Sequence, residues 1–268
     1  MYIDRTCDDK WKSRERVECS SQVVGSASSN TRRFTYSGTE LNAMAEARNY
    51  QDWILSYICT HLRGKVIEVG AGMGTFSRLI LRLPDVTHLT AIEPADNLFS
   101  LLLEQVGSDA RVKPLKGYLS DVGTHSEADA LIAVNVIEHV EDDKAFLLSA
   151  HRALVPGGTC ILFAPAMQWL YGSLDGAFGH FRRYSKGEFA QKLTTAGFQV
   201  EELRYFNLPG VLAWFVAGRV LKKTTLQARD TRLYDRCVVP WISRLERFVE
   251  PLIGQSVLAV ARKPLGDA

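Results

Sequence analysis

Three observations predict an α/β fold built on a mostly parallel sheet. Short apolar runs alternate with helical patterns along most of the chain, and that alternation calls for crossovers between parallel strands. Glycines stand at alternate positions in Gly70-Ala71-Gly72-Met73-Gly74, where the first apolar run must turn into a helix. The next apolar run, Leu89-Thr90-Ala91-Ile92, ends on a carboxylate, Glu93, followed by Pro94. With 268 residues, 46% of them apolar and 23% charged, the chain supplies one large core, and two full domains would be crowded.

Residues 1–38 are rich in Ser, Thr, Arg and Asp and read as a mobile N-terminal arm, in which Trp11 is the residue able to dock. Residues 39–268 read as a single domain. From Leu41 to His61, the residues Leu41, Met44, Tyr50, Trp53, Ile54, Tyr57 and Ile58 follow helical spacing. Strands are expected at 65–69, 87–92, 111–115, 129–134 and 159–164. Helices are expected at 74–83, 95–106 and 143–154, the last stopped by Pro156-Gly157-Gly158. The tail changes rhythm, with a strand at 198–205, helical stretches at 209–223 and 232–249, and a strand at 256–262. The 165–185 loop and the 208–250 helices are acceptor-side insertions that would form a lid.

Charge narrows the partners. The net charge is +2 and the basic clusters are short, Arg182-Arg183 and Lys222-Lys223, so nucleic acid is not expected. The five cysteines are scattered without a C-x-x-C; three lie in apolar segments and read as core residues, and a reducing, cytoplasmic compartment is the default. No apolar leader and no stretch of about 20 apolar residues is present, so neither a signal peptide nor a membrane span is expected.

The glycine loop raises the question of a cofactor. A dinucleotide site wants G-x-G-x-x-G, with a pyrophosphate on the helix N-terminus. Counting from Gly70, the sixth position is Thr75, and the fingerprint is broken. Glu68 stands two residues before Gly70; a carboxylate there is a poor neighbour for a pyrophosphate and a good one for an ammonium or sulfonium cation. Glu93, at the tip of the next strand, can accept two hydrogen bonds from a ribose diol.

Glu68-x-Gly70-x-Gly72-x-Gly74 together with Glu93 resembles motif I of the class I S-adenosylmethionine-dependent methyltransferases. The resemblance runs from about residue 41 to 263. Tyr171 to Tyr184 and the closing Gly254 to Lys263 look like a bacterial, small-molecule subgroup of that family. It implies a Rossmann-like, seven-stranded, mostly parallel sheet with an antiparallel last strand and helices on both faces. It also implies S-adenosylmethionine as cofactor and in-line methyl transfer to a small-molecule acceptor, at oxygen or nitrogen. The cofactor positions it implies are Tyr50, Glu68, Gly70, Ala71, Gly72, Gly74, Glu93, Pro94, Leu119, Asp121, Asn135 and Val136.

Several of these positions admit a second role. Asp121 would hold the adenine, or close its own turn. Tyr50 would donate to the methionine carboxylate, or face the core with Trp53. Glu138-His139 reads as a structural pair fixing the next helix, with His139 a secondary catalytic candidate. Some quinone-pathway relatives hold a divalent metal with Glu-x-x-Glu-His; Asn135 takes the first position here, and no metal is expected.

On the acceptor side, the aromatic, glycine-punctuated loop at 165–185 leaves the carboxyl edge of the sheet, where loops carry function. His180 is the candidate general base, or makes a structural hydrogen bond. Trp169, Tyr171, Arg182, Arg183, Tyr184 and, downstream, Trp214 are the candidate acceptor-binding residues. The arginines could instead pair with Asp175 or Glu188. The apolar run Phe206 to Leu221 would act as a lid or homodimer face, or lie at a membrane surface. A non-catalytic S-adenosylmethionine-binding regulatory or scaffold protein is the alternative. A nicotinamide oxidoreductase is disfavoured by Glu68 and Thr75.

Overall fold

The structure, a computed structural model, describes residues 35–36, 40–122 and 127–265. Seven strands form one sheet: β1 (Gly64–Val69), β2 (Val86–Glu93), β3 (Val112–Lys116), β4 (Ala128–Val134), β5 (Leu154–Pro165), β6 (Gln199–Phe206) and β7 (Ser256–Arg262). Their order is β3-β2-β1-β4-β5-β7-β6. β1 to β5 pair in parallel, and β7 runs antiparallel between β5 and β6. The predicted class, the strand count and the antiparallel last strand all hold. Successive strands step outward in opposite directions from β1 and β4, and such a switch point opens a crevice at the carboxyl ends of the strands.

Helices cover both faces because the central strands β1, β4, β5 and β7 are apolar on both sides. Alternate residues point opposite ways. Val66, Ala130 and Ile132 pack with helices α1 (Glu40–Ala45), α2 (Arg48–Ile58), α3 (Thr75–Ile80) and α4 (Asp96–Val106). Ile67, Val69, Leu131 and Ala133 pack on the other face against α5 (Asp143–Ala153) and α7 (Lys186–Thr195). The short α6 (Ser173–Ala177) lies in the long loop after β5.

Boundaries moved where a local signal competed with packing. The helical pattern over 41–61 breaks at Glu46–Ala47 into α1 and α2. Ala47 has no side chain to cap α2. Asp235 from a distant helix supplies the carboxylate instead, accepting from the backbone amides of Asn49 at 3.1 Å and Tyr50 at 2.9 Å. Pro156-Gly157-Gly158 does not separate a helix from a strand: β5 starts at Leu154, and the three residues form an irregularity within it. The 209–223 stretch is α8 (Leu208–Trp214) followed by a π-helical turn, Phe215–Val220. The 232–249 stretch is two helices, α9 (Ala228–Cys237) and α10 (Val239–Phe248), divided where Pro240 starts the second.

Two further expectations change. Cys59, read as a plain core residue, is buried and disulfide-bonded, whereas Cys160 and Cys237 are free. That bond runs against the reduced state expected of scattered cysteines. The N-terminal arm lies outside the described residues except for Thr35 and Tyr36. Tyr36 is held in place by Asn97, whose Oδ1 accepts from its backbone amide and whose Nδ2 donates to its carbonyl, each at 3.0 Å. Among the described residues, no helix is long and apolar enough to cross a membrane.

Candidate functional site

β1 hands the chain to α3 through a loop that only glycines make easily. Gly70, Gly72 and Gly74 adopt φ of 70°, 57° and 84°, the left-handed region that costs other residues about 1–2 kcal/mol. The neighbours then separate their roles. A Cβ on Gly70 would come within 2.5 Å of Val136 Cγ2, whereas one on Gly72 would meet nothing within 4 Å. Gly70 serves packing, and Gly72 leaves space for a ligand. The loop is pinned by the Ala71 amide, which donates to the Ile92 carbonyl at 2.9 Å.

Glu93 is buried at the end of β2. Its Oε2 accepts from the Gly72 amide at 2.8 Å and its Oε1 from the Ala95 amide at 2.9 Å. Each carboxylate oxygen has a second acceptor site for a diol. Burial pushes the carboxyl up from its ordinary value, against the pull of those two amides. Glu68 points to the α3 side of β1, is 4% exposed, and accepts from Ser77 Oγ at 2.5 Å. Burial pushes it up to about 8; the Ser77 hydrogen bond opposes this and Glu93 adds to it.

A cavity of about 200 Å³ opens beside this loop. Tyr50, Glu68, Gly70, Ala71, Gly72 and Asn135 line it from the cofactor side. Tyr50 is buried, with its hydroxyl 3.2 Å from Ser256 Oγ, and burial raises it to about 12. Gly74, Glu93, Pro94, Leu119, Val136 and Asp121 are not among the lining residues. Glu93 and Pro94 flank the loop at the tip of β2. Leu119 is a core residue against α5. Asp121 accepts from the Tyr118 amide at 2.7 Å and closes its own turn.

His139, Glu138, His180, Arg183 and Trp214 line the acceptor side. Asp175, at the start of α6, is the hub of this wall and is fully buried. Its carboxylate lies 2.9 Å from His180 Nδ1 and accepts from Arg183 Nε at 2.7 Å, Trp214 Nε1 at 3.0 Å and the Gly172 amide at 3.0 Å. Burial would raise its carboxyl, but these partners, His180 and Arg183 foremost, hold it below the usual range. An ionised Asp175 accepts from His180 Nδ1, so in the neutral imidazole the unprotonated nitrogen is Nε2. Arg183 is 1% exposed and lies over the Trp214 ring at 4.8 Å. Its Nη1 donates to the Ala166 carbonyl at 2.9 Å, while Nη2 has no hydrogen-bond partner.

The other predicted acceptor residues face elsewhere. Arg182 pairs with Asp143 at 2.8 Å and donates to the Glu141 carbonyl. Tyr184 is fully buried, stacked on Phe189 and bonded to Asp143. Tyr171 donates to the His180 carbonyl at 2.7 Å, supporting the loop rather than the cavity wall. Trp169 lies on an outer groove with Leu208, Leu212 and Phe215.

Glu138 corrects a reading as well. It is fully buried, and neither carboxylate oxygen has a hydrogen-bond partner, so it is not tied to the helix that follows. Asp142 caps that helix, accepting from the Ala145 amide at 2.9 Å. Burial pushes the Glu138 carboxyl up to about 7, with His180 and Arg183 opposing. His139 sits edge-on to His180, ring centroids 4.7 Å apart, and burial lowers it to about 4, so it is neutral. Glu138, His139 and His180 bring one ligand atom each within 4.8 Å of one another, a two-histidine, one-carboxylate set able to hold a divalent cation. Asp175, named from the sequence only as a partner for the arginines, pairs with Arg183 at 2.7 Å; Tyr36 and Asp235 were not legible in the sequence. Tyr36 lines the cavity and lies edge-on to His139 at 6.4 Å.

Residues 47–203, more than half of the chain, match the family model described as a methyltransferase domain. A ubiquinone biosynthesis O-methyltransferase of Xanthomonas euvesicatoria pv. vesicatoria is 27% identical over 168 residues, covering 56% of this chain and 70% of the relative. One of that name from Rickettsia bellii is 26% identical over 99 residues, covering 37% of this chain, and the match spans only 40% of the relative's length. An S-adenosylmethionine-dependent methyltransferase structure from Mesorhizobium loti superposes with a TM-score of 0.53 at 15% identity, over 75% of this chain and 92% of that one. That likeness is one of fold.

Proposed function

We propose, from the premise that the chain belongs to the methyltransferase domain family with S-adenosylmethionine as its cofactor, that it methylates a hydroxyl group of a small-molecule acceptor. The observation that carries this reading is the Asp175–His180 pair, 2.9 Å apart, on the wall of the cavity that the glycine loop also lines. Two relatives bearing the name O-methyltransferase support it.

In this reading the glycine loop after β1 and the tip of β2 would hold the nucleoside. Glu93 would accept from the ribose hydroxyls, and the 117–121 loop would flank the adenine. Tyr50, Asn135 and Glu68 surround the methionine end, where Glu68 faces the ammonium and sulfonium charges. The family cofactor supplies an electrophilic methyl on a positively charged sulfur. What remains for the chain is alignment, exclusion of water and removal of a proton. His180 Nε2 takes the acceptor's hydroxyl proton. When bound, the cofactor would supply its methyl to the acceptor oxygen, with the C–S electron pair staying on sulfur, which would leave as a neutral thioether. Asp175 holds the tautomer and stabilises the imidazolium. Arg183 Nη2 is the cavity's unpartnered donor and is placed to hold an anionic or carbonyl group of the acceptor.

The test is formation of S-adenosylhomocysteine across a panel of phenols, hydroxy acids and amines, with wild type and His180→Ala. Turnover of a hydroxyl acceptor that falls in the variant by about 10²–10⁴, with unchanged cofactor affinity, is the result this function predicts. Cofactor binding without turnover of any acceptor would instead favour the binding-only alternative. Equal turnover by the variant would remove His180 from the chemistry.

A further inference from the structure

We infer that α9, α10 and the turn that follows form a docking surface for an anionic lipid bilayer. α10 is apolar on two opposite sides. Val239 and Ile242 pack into the core. Trp241, Leu245 and Phe248, spaced i, i+4 and i+7, form a second stripe that faces outward, with Trp241 75% and Phe248 85% exposed. The turn adds Val249 and Leu252, the latter 93% exposed. A helix that carries large apolar groups on its solvent side needs a partner.

Charge selects that partner. α9 presents Arg229, Arg232, Leu233 and Arg236 at i, i+3, i+4 and i+7, all exposed, and Arg244 falls within the apolar stripe of α10. Arg219, in the π-helical turn, and Lys222, just after it, are exposed as well. Arg219, Lys222, Arg229, Arg236 and Arg244 form no ion pair with a carboxylate among the described residues, while Lys223 and Arg232 pair with Asp230 and Glu46. Aromatic and aliphatic side chains bordered by arginine are the composition of an interfacial, anion-seeking surface. A second copy meeting this face around a two-fold axis would set one arginine stripe against the other, which disfavours that occupant.

A part-buried hydrogen bond ties the inner side of α10 to the start of α8. The Leu208 amide, at the start of α8, donates to Glu246 of α10 at 2.8 Å. α8 then shows its two sides: Trp214 lines the cavity, while Leu212 and the adjoining Phe215 line the outer groove with Trp169.

Vesicle flotation with the full chain tests this without requiring turnover. Phosphatidylcholine vesicles containing phosphatidylglycerol are expected to float at least about tenfold more protein than pure phosphatidylcholine, less so at high salt. The variant Trp241→Glu/Phe248→Glu/Leu252→Glu should lose about tenfold of that binding, with its S-adenosylmethionine affinity unchanged as the check on folding. Arg229→Glu/Arg236→Glu should lose only the preference for the anionic lipid. No binding to either vesicle, or undiminished binding by the triple variant, would overturn the proposal. So would a wild-type dimer that the triple variant dissociates, because the face would then belong to a second copy.

Discussion

Asp175 Oδ1 lies 2.9 Å from His180 Nδ1 and the same oxygen accepts from Arg183 Nε at 2.7 Å, with all three side chains nearly closed to solvent. One carboxylate thus orients the candidate base and neutralises a buried guanidinium. Asp175→Ala removes the partner of that buried charge and is expected to cost about 3–5 kcal/mol of stability. His180→Ala leaves the Asp175–Arg183 pair in place and is expected to cost under about 2 kcal/mol. Urea unfolding of the two variants checks the ordering; equal losses would mean that Arg183 does not depend on Asp175.

Gly70 and Gly72 should separate folding from binding. Gly70→Ala drives a methyl into Val136 as well as straining the backbone, and is expected to lower the melting temperature markedly. A Cβ at Gly72 meets nothing within 4 Å, so the cost of Gly72→Val to the fold is chiefly left-handed backbone strain, at least about 1–2 kcal/mol. It is expected to fold and to lose S-adenosylmethionine binding. Melting curves with and without the cofactor distinguish the two; a Gly72→Val protein that binds normally would place the nucleoside elsewhere.

Glu93→Ala should weaken cofactor binding by about 2 kcal/mol through lost charge-assisted bonds to the ribose. Part of the loss would come from the Gly72 amide, which the carboxylate also holds. Glu93→Gln, which keeps an acceptor for that amide, should fall between the two. Unchanged affinity in both variants would remove Glu93 from the cofactor site.

Glu68 gives a pH dependence with a definite sign. Its folded carboxyl is raised to about 8 by burial, above the ordinary value near 4.5. The protonated folded form is therefore favoured: its contribution to stability is complete below about pH 4.5 and is lost as pH rises through about 8. Glu68→Gln should flatten that part of the stability profile. A cation beside Glu68 favours its ionised form, so S-adenosylmethionine should expel protons on binding near pH 7. Calorimetry in buffers of different ionisation enthalpy reads that release, and it should vanish in Glu68→Gln.

What was legible in the chain was local. Strand periodicity, the glycine spacing and the acid ending β2 are encoded within a few residues, and the sheet and the loop followed from them. The candidate base was visible as a titratable residue in a functional loop. Its orienting carboxylate was visible only as a partner for the arginines: Asp175 meets His180 because the chain turns back at the end of α6, where the His180 amide donates to the Asp175 carbonyl. Asp235 capping α2 spans 186 residues, and no sequence window contains both. Tyr36 was assigned to a mobile arm by composition, yet two bonds to Asn97 hold it at the cavity. Trp169, Arg182 and Tyr184 shared the loop with His180 but were turned outward or inward by partners that the chain order does not reveal.

The most direct measurement is calorimetric titration of the full chain with S-adenosylmethionine, S-adenosylhomocysteine and NADH, repeated with Gly72→Val. Binding of the first two to the wild type, silence from NADH and loss of binding in the variant are the predicted results. Heat from NADH alone, or undiminished binding of S-adenosylmethionine by Gly72→Val, would contradict a cofactor site built on Gly72 and Glu93.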